Sequence, residues 1–303
     1  MINLSEVLTN QIKQWNNKNI PEKIFTIVFY LTFLVFITLI IKEPHRKPSY
    51  YLSNASILFA LTAIKQLIRK QKELLAKNEI IEKQKKEVEI QKSRSEELLL
   101  NILPSEVAEE LKQKGSAEAK HFNEVTVLFT DFKNFTNMSE RLNAQELVNE
   151  INYCYSAFDN IITKHNIEKI KTIGDSYMCA GGLPIANKTN AEDTVKAAIE
   201  IRDFMLNEKQ KRVSDGKPFF EIRIGCNTGA VVAGIVGIKK FAYDIWGDTV
   251  NIASRMESSS EAGKVNISGS TYELVKDKFN CNHRGKIEAK NKGMIDMYFV
   301  ESC

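Results

Sequence analysis

TVLFTDFKNFT, residues 126–136, is an apolar strand that ends in an aspartate, Asp131. The pattern recurs in IKTIGDSYM, residues 170–178, where Asp175 follows Gly174. A single aspartate at such a position most often forms a turn. Two carboxylates at the ends of neighbouring strands repel each other unless a cation holds them, so the pair predicts a metal site.

Mg²⁺ or Mn²⁺ suits this predicted site best, because both ions prefer carboxylate and carbonyl oxygens and often bind together with phosphate. The loop after Asp131 supports a phosphate ligand. Its backbone N–H groups, from Lys133 through Asn134 and Phe135 to Thr136, lead toward a predicted helix and can form an anion cradle.

Composition narrows the classes of function. The chain has 303 residues and a net charge of +4, which is too small to indicate nucleic-acid binding. Charged residues make up 26% and hydrophobic residues 43%, values typical of a folded protein. The five cysteines form no CxxC pair, which favours a reduced, cytosolic location for most of the chain.

Two apolar blocks near the N-terminus predict a membrane region at residues 24–64, after a cytosolic segment at residues 1–23. Residues 24–41 carry no charge and approach the length of about 20 residues that spans a bilayer. A buried soluble helix is the alternative for this block. Residues 50–64 are shorter and more polar, so they predict either a second span or an interfacial helix.

Residues 65–97 predict a signalling helix, because they are rich in Lys, Glu and Gln and contain neither Pro nor Gly. Leu67, Leu74, Ile81 and Val88 recur every seven residues, which predicts a coiled coil with one apolar stripe. A solvated single helix is the alternative.

Residues 98–120 predict a hinged helical connector, with a helix that restarts at Pro104 and stops at Gly115. The remaining residues, 121–303, alternate strands and helices and predict a ferredoxin-like α+β domain with its helices on one face of the sheet.

Local signals mark the elements of this domain. Asn143 and Glu146 predict a capping box, and Thr228 and Gly229 predict a turn between two strands. Strands are predicted at residues 125–130, 167–171, 176–180, 220–226 and 231–236, and helices at residues 143–165, 191–206 and 249–258.

Four segments of the chain resemble the catalytic domain of class III nucleotidyl cyclases: VLFTDFKNFT, IEKIKTIGDSYM, FAYDIWGDTVNIASRMES and AKNKGMIDMYFV. NILPSEVAEELKQKG resembles the connecting segment that often precedes such domains. The resemblance implies a membrane-anchored adenylate cyclase, a lyase that converts ATP to 3′,5′-cyclic AMP and pyrophosphate at a homodimer interface.

The resemblance also assigns the metal and transition-state residues. Asp131 and Asp175 match the pair that holds two Mg²⁺ or Mn²⁺ ions, with the Phe132 carbonyl as a further ligand. Asn251 and Arg255 match the pair that orients the ribose and stabilises charge on the phosphate in the transition state. They lie four residues apart, so one helix face presents both.

The resemblance assigns binding of the triphosphate to Lys290. The predicted anion cradle at residues 133–136 is the second expected phosphate-binding element. The chain departs from the family at Ala230, near which some members carry an arginine that reaches the β- and γ-phosphates. It departs again at Asn291, where a glycine is usual.

The resemblance assigns recognition of the nucleotide base to Lys171 and Asp244. Ile245 and Trp246 are expected beside them in the substrate site. Lys171 can donate to adenine N1, and Asp244 can accept from the N6 amine. Guanine presents the reverse pattern of donor and acceptor, so this pair predicts ATP as the substrate.

Two alternatives remain for the function: a guanylate cyclase, or a catalytically inactive cyclase-like regulatory domain. The expected location is the inner or plasma membrane, with the catalytic domain in the cytoplasm. The expected partners are ATP, a second copy of the chain, the membrane and an unidentified membrane sensor.

Overall fold

The computed structural model describes residues 20–42, 48–237, 241–289 and 293–301. The chain divides into two units, Met1–Arg94 and Ser95–Cys303. The helices are α1 (Ile20–Lys42), α2 (Pro48–Leu100), α3 (Ser105–Lys114), α4 (Phe135–Ser139), α5 (Ala144–Lys164), α6 (Asn190–Ser214), α7 (Asp248–Ser258) and α8 (Gly269–Val275). The strands are β1 (Lys120–Lys133), β2 (Ile167–Ile173), β3 (Ser176–Gly181), β4 (Glu221–Val236), β5 (Ala242–Trp246), β6 (Val265–Ser268), β7 (Cys281–Ala289) and β8 (Gly293–Val300).

The predicted membrane region is not supported. Its first block lies in α1 and its second block in α2. Over the part of the chain that the structure describes, no helix has both the length and the apolar character that crossing a membrane requires. Most of the predicted N-terminal segment, residues 1–23, lies outside the described residues.

The second apolar block and the predicted signalling helix form one continuous helix, α2, because neither Pro nor Gly interrupts the chain after Pro48. The stripe formed by Leu67, Leu74, Ile81 and Val88 is between 46% and 66% exposed. Pairing of this stripe with a second helix stays a prediction.

The connector helix α3 begins and ends where the sequence predicts. Pro104 precedes it, and Gly115 ends it in a left-handed conformation with φ of 72°. The Gly115 N–H donates to the Leu111 carbonyl at 2.9 Å, which closes the last turn. Val107 and Ala108 on this helix are buried, so the connector belongs to the hydrophobic core of the second unit.

The second unit is built on one sheet of eight strands in the order β2-β3-β1-β4-β6-β8-β7, with β5 paired to β4. Strands β1 to β4 with α5 and α6 follow the predicted β-α-β-β-α-β order. The capping box at the start of α5 is confirmed, since Asn143 and Glu146 each accept the other's backbone N–H at 2.9 Å.

Helices cover both faces of the sheet, so the prediction of helices on one face is wrong. Neighbouring residues of β1 point to opposite faces. Leu128 packs in a core with α5, α6 and α8, whereas Val127 packs in a second core with α3, α7 and β5. The aspartate at the end of β1 is thereby held on a strand that is buried from both sides.

The predicted turn at Thr228 and Gly229 is also wrong, because β4 continues through both residues. They pair with Thr126 and Val125 of β1 in an unbroken antiparallel register. The Thr228 hydroxyl is buried and hydrogen-bonded to the hydroxyls of Thr126 at 2.9 Å and Thr271 at 3.0 Å. Buried partners thus satisfy the Thr228 hydroxyl, the polar group that favoured a turn in the sequence.

Candidate active site

Asp131 and Asp175 lie at the same end of the sheet. Asp131 pairs across β1 and β3 with Ser176, the residue that follows Asp175. Gly174 takes a φ of 63° in the tight turn before Asp175, a conformation that favours glycine. The Ser176 hydroxyl donates to Asp131 Oδ1 at 3.1 Å. Antiparallel pairing and a two-residue turn therefore place the two carboxylates side by side.

The electrostatics of this pair suit a divalent cation. Burial raises the pKa of Asp175 above its ordinary value, and the neighbouring Asp131 carboxylate raises it further. Two carboxylates and the Phe132 carbonyl are oxygen ligands of the kind that Mg²⁺ and Mn²⁺ prefer. Within the described ranges no three acidic, His or Cys side chains form a metal-binding group.

Sequence reasoning missed Arg223, which contacts the first of these aspartates. Arg223 lies directly opposite Asp131 in the β1–β4 pairing, and its Nη2 donates to Asp131 Oδ2 at 2.5 Å. Its Nε lies 3.1 Å from Glu257 Oε1 on α7. Burial and the Asp131 charge raise the pKa of Glu257 to about 7. An arginine between two isoleucines of an apolar strand was the available signal.

The candidate phosphate loop forms a turn and a short helix. Lys133 ends β1, Asn134 is left-handed with φ of 59°, and Phe135 begins α4. The Phe135 ring packs on the Phe220 ring with centroids 5.8 Å apart. The loop therefore offers the backbone of Phe135 to a ligand, together with the exposed side chains of Lys133, Asn134 and Thr136.

The two candidate base-reading side chains are in contact. Lys171 Nζ on β2 donates to Asp244 Oδ2 on β5 at 2.5 Å. The Ile245 N–H donates to the other oxygen, Asp244 Oδ1, at 2.8 Å. Ile245 itself is buried in the core, whereas Trp246 is 40% exposed. One donor and one acceptor thus stand together at the surface of the unit.

Asn251 and Arg255 lie one turn apart on α7, as their spacing predicts. Asn251 is exposed, and Arg255 Nη1 donates to the Glu288 carbonyl at 3.0 Å. In the described part of the chain, no hydrogen bond or ion pair joins either residue to Asp131 or Asp175.

Three further positions complete the inventory of the site. The Ala230 carbonyl accepts from the Thr249 hydroxyl at 2.6 Å, which ties β4 to the first turn of α7. Lys290 and Asn291 lie outside the described residues.

Relatives of the chain include enzymes of two specificities. An adenylate cyclase of Mycobacterium bovis is 38% identical over 214 residues, 70% of this chain and 47% of its own length. The guanylate cyclase soluble subunit beta-2 of Rattus norvegicus is 39% identical over 212 residues, 70% of this chain and 31% of its own length. The chain therefore spans about half and about a third of the length of these relatives.

Among solved structures, the adenylyl cyclase CyaB from P. aeruginosa is similar with a TM-score of 0.58 and 34% identity, over 61% of this chain and 97% of that one. The family model described as the adenylate and guanylate cyclase catalytic domain matches residues 117–302, more than half of the chain. These residues contain β1 to β8 and every side chain of the candidate site described above. The chain belongs to the adenylate and guanylate cyclase catalytic domain family.

Proposed function

We propose that the protein is an adenylate cyclase that converts ATP into 3′,5′-cyclic AMP and pyrophosphate. The observation that carries the proposal is the contact of Lys171 with Asp244 at 2.5 Å. This donor and acceptor match the N1 acceptor and N6 donor of adenine. Guanine presents the reverse pattern of donor and acceptor and would leave both side chains unmatched.

Asp131, Asp175 and the Phe132 carbonyl would hold two divalent ions, Mg²⁺ or Mn²⁺. Such ions, when bound, make the ribose 3′-hydroxyl more acidic and neutralise the triphosphate. The chain's contribution is to fix the two carboxylates at the same end of the paired strands β1 and β3. The backbone of residues 133–136 and the Lys290 ammonium group would bind the phosphate oxygens.

Asn251 and Arg255 would act on the sugar and the α-phosphate. The Asn251 amide orients the ribose, and the Arg255 guanidinium stabilises the charge that develops as the 3′-hydroxyl attacks and pyrophosphate leaves. Both residues lie on α7. The start of this helix is fixed because the Asn227 amide donates to the Thr249 carbonyl at 3.0 Å. The first turn of α7 is thereby held against β4.

A second copy of the chain would complete each site. Among the described residues of one chain, no hydrogen bond or ion pair joins Asn251 or Arg255 to the aspartate pair. A homodimer with a two-fold axis can bring the aspartates of one protomer to the asparagine and arginine of the other, and it then contains two equivalent sites.

Turnover of ATP and GTP by the full chain tests the proposed substrate. We expect cyclic AMP with Mg²⁺ or Mn²⁺ and little cyclic GMP. The double variant Lys171→Glu/Asp244→Cys should lose the ATP preference and gain GTP turnover, because it reverses the donor and acceptor pattern. GTP is the alternative substrate to test, because one relative is a guanylate cyclase subunit.

Each outcome of this experiment has a distinct meaning. Preferred turnover of GTP by the parent would make the protein a guanylate cyclase. A folded parent that turns over neither nucleotide with either metal would indicate an inactive regulatory domain. A folded double variant that keeps the parental ATP preference would show that Lys171 and Asp244 do not read the base.

A further inference from the structure

An ion pair behind the aspartates links the candidate metal site to the helix that carries Arg255. Arg223 Nη2 contacts Asp131 Oδ2 at 2.5 Å, and Arg223 Nε lies 3.1 Å from Glu257 Oε1. The Glu257 side chain is only 8% exposed, and that of Arg223 is 28% exposed. The guanidinium therefore bridges two carboxylates in a largely buried position.

The contact with Glu257 is incompletely satisfied. Neither Arg223 Nε nor Glu257 Oε1 has a hydrogen-bond partner among the described residues, although the two atoms are close. Helix α7 packs closely on β4 beside Glu257, because a Cβ on Gly225 of β4 would lie 1.9 Å from the Glu257 backbone nitrogen. The backbone of α7 therefore lies against β4 at Gly225, two residues along the strand from Arg223.

The position of Arg223 between the Asp131 and Glu257 carboxylates affects the net charge beside the candidate metal site. The guanidinium both orients Asp131 and competes with any cation that Asp131 is to bind. A second carboxylate on the other side of Arg223 offsets that competition. A bound cation favours the ionised form of each neighbouring carboxyl group. In that state the three carboxylates of Asp131, Asp175 and Glu257 and the one guanidinium of Arg223 leave two net negative charges beside the metal site.

We infer that Arg223 and Glu257 are positioning residues for metal binding. Arg223 holds the Asp131 carboxylate in place, and Glu257 balances the Arg223 charge so that Asp131 remains available to a divalent cation. This inference rests on the proposed function, because it takes Asp131 as a metal ligand. Neither residue touches the substrate in this role.

Binding of Mn²⁺ alone to the full chain tests the inference without turnover, by electron paramagnetic resonance of the free ion. Glu257→Gln should weaken Mn²⁺ binding about tenfold, since Arg223 is left to neutralise Asp131. Adding Arg223→Met to that variant restores two net negative charges and should restore parental affinity. Arg223→Met alone should bind Mn²⁺ at least as tightly as the parent, but with a kcat about tenfold lower because Asp131 is no longer held.

Glu150→Gln is the matched control. Glu150 pairs with Arg212 at 2.6 Å between α5 and α6, and this pair is also partly buried with an unsatisfied carboxylate oxygen. The control should leave Mn²⁺ affinity unchanged. Circular dichroism of each variant verifies folding, and Arg223→Met keeps the test decisive if Glu257→Gln does not fold.

Rescue separates charge balance from structural damage, since a second buried substitution would not repair a misfolded site. Parental affinity in Glu257→Gln, no recovery in the double variant, or weaker Mn²⁺ binding in Arg223→Met would each overturn the inference. A parent that does not bind Mn²⁺ at all would instead overturn the proposed metal site and the inference with it.

Discussion

Each carboxylate oxygen of Asp131 accepts a hydrogen bond from a different donor. Oδ1 accepts from the Ser176 hydroxyl and Oδ2 from the Arg223 guanidinium. Among the described residues no arginine is hydrogen-bonded to Asp175, and burial and the charge of Asp131 raise its pKa. An added cation would therefore help Asp175 to stay ionised.

Neutral replacement of either aspartate should abolish turnover and leave the fold intact. Asp131→Asn and Asp175→Asn each remove one charged ligand from a shared site, and we expect at least a hundredfold loss of kcat. Cyclase assays across a range of Mg²⁺ and Mn²⁺ concentrations measure the loss. Near-parental activity of either folded variant at any metal concentration would contradict the two-metal assignment.

The stability of the fold should depend on pH through Glu168. Burial, together with the charge of Glu106, raises the pKa of Glu168 to about 7 from an ordinary value of 4.5. The folded state then binds this proton more tightly than the unfolded state. Its contribution to stability is complete below pH 4.5 and is lost as the pH rises through about 7.

Glu168→Gln should therefore be more stable than the parent, with an advantage that grows between about pH 5 and pH 8. We expect on the order of 1 kcal/mol at the upper end, after allowance for solvent screening. Thermal unfolding at several pH values measures it. Glu261→Gln, at a side chain that is 63% exposed, is the control. A difference in melting temperature that is constant across this pH range would refute the assignment.

The sequence predicts the role of a residue best when the residues that define its position are close to it in the chain. The paired position of Asp131 and Asp175 follows from two strand ends and one glycine turn, and the sequence predicts it. The contact of Arg223 with Asp131 requires the register of β1 against β4, which links residues 92 positions apart. No local pattern contains that register.

At the scale of elements, the sequence predicts helix ends well where a specific cap exists. The capping box of α5 and the left-handed glycine after α3 are both confirmed. The turn predicted at Thr228 and Gly229 fails because turn-forming residues can also serve inside a strand when tertiary partners satisfy their polar groups. The prediction of helices on one face is likewise wrong, because each core combines residues from elements far apart in the chain.

The exposed stripe of α2 provides a prediction at this scale. Changing Leu67, Leu74, Ile81 and Val88 to Gln should weaken self-association and lower specific activity at low protein concentration, because a coiled coil raises the effective concentration of attached domains. Sedimentation and cyclase assays over a dilution series measure both effects.

Glu79→Gln/Lys86→Gln, on the opposite side of the same helix, is the control and should behave like the parent. Equal dimer fraction and equal activity of the stripe variant throughout the dilution series would remove any role of the stripe in pairing. The alternative of a solvated single helix would then stand.

At the scale of the whole molecule, a shared site makes a quantitative prediction. Asp131→Ala and Arg255→Ala should each be inactive as homodimers. In a mixed dimer both changes fall in one site and the other site is intact. Random exchange makes about half of the dimers mixed, each with one working site of two, so roughly a quarter of parental activity should return.

Subunit exchange must be verified independently, for example by energy transfer between labelled copies. If an exchanged mixture stays as inactive as its two components, each site is contained in a single chain and the shared-site model fails. Location at a membrane stays a prediction that fractionation of expressing cells can test.

The contact between Lys171 and Asp244 also bears on how quickly the proposed cyclase would turn over. With no nucleotide present, each charged group already has a partner, so an arriving base exchanges one set of contacts for another and gains little net free energy. The cyclic product carries the same base as the substrate and would be held no more firmly. When the product departs, the lysine and the aspartate rejoin, which favours release. The protein would then discriminate between bases without strong inhibition by its product. Comparing the inhibition constant of cyclic AMP with that of a non-hydrolysable ATP analogue would test this exchange of contacts.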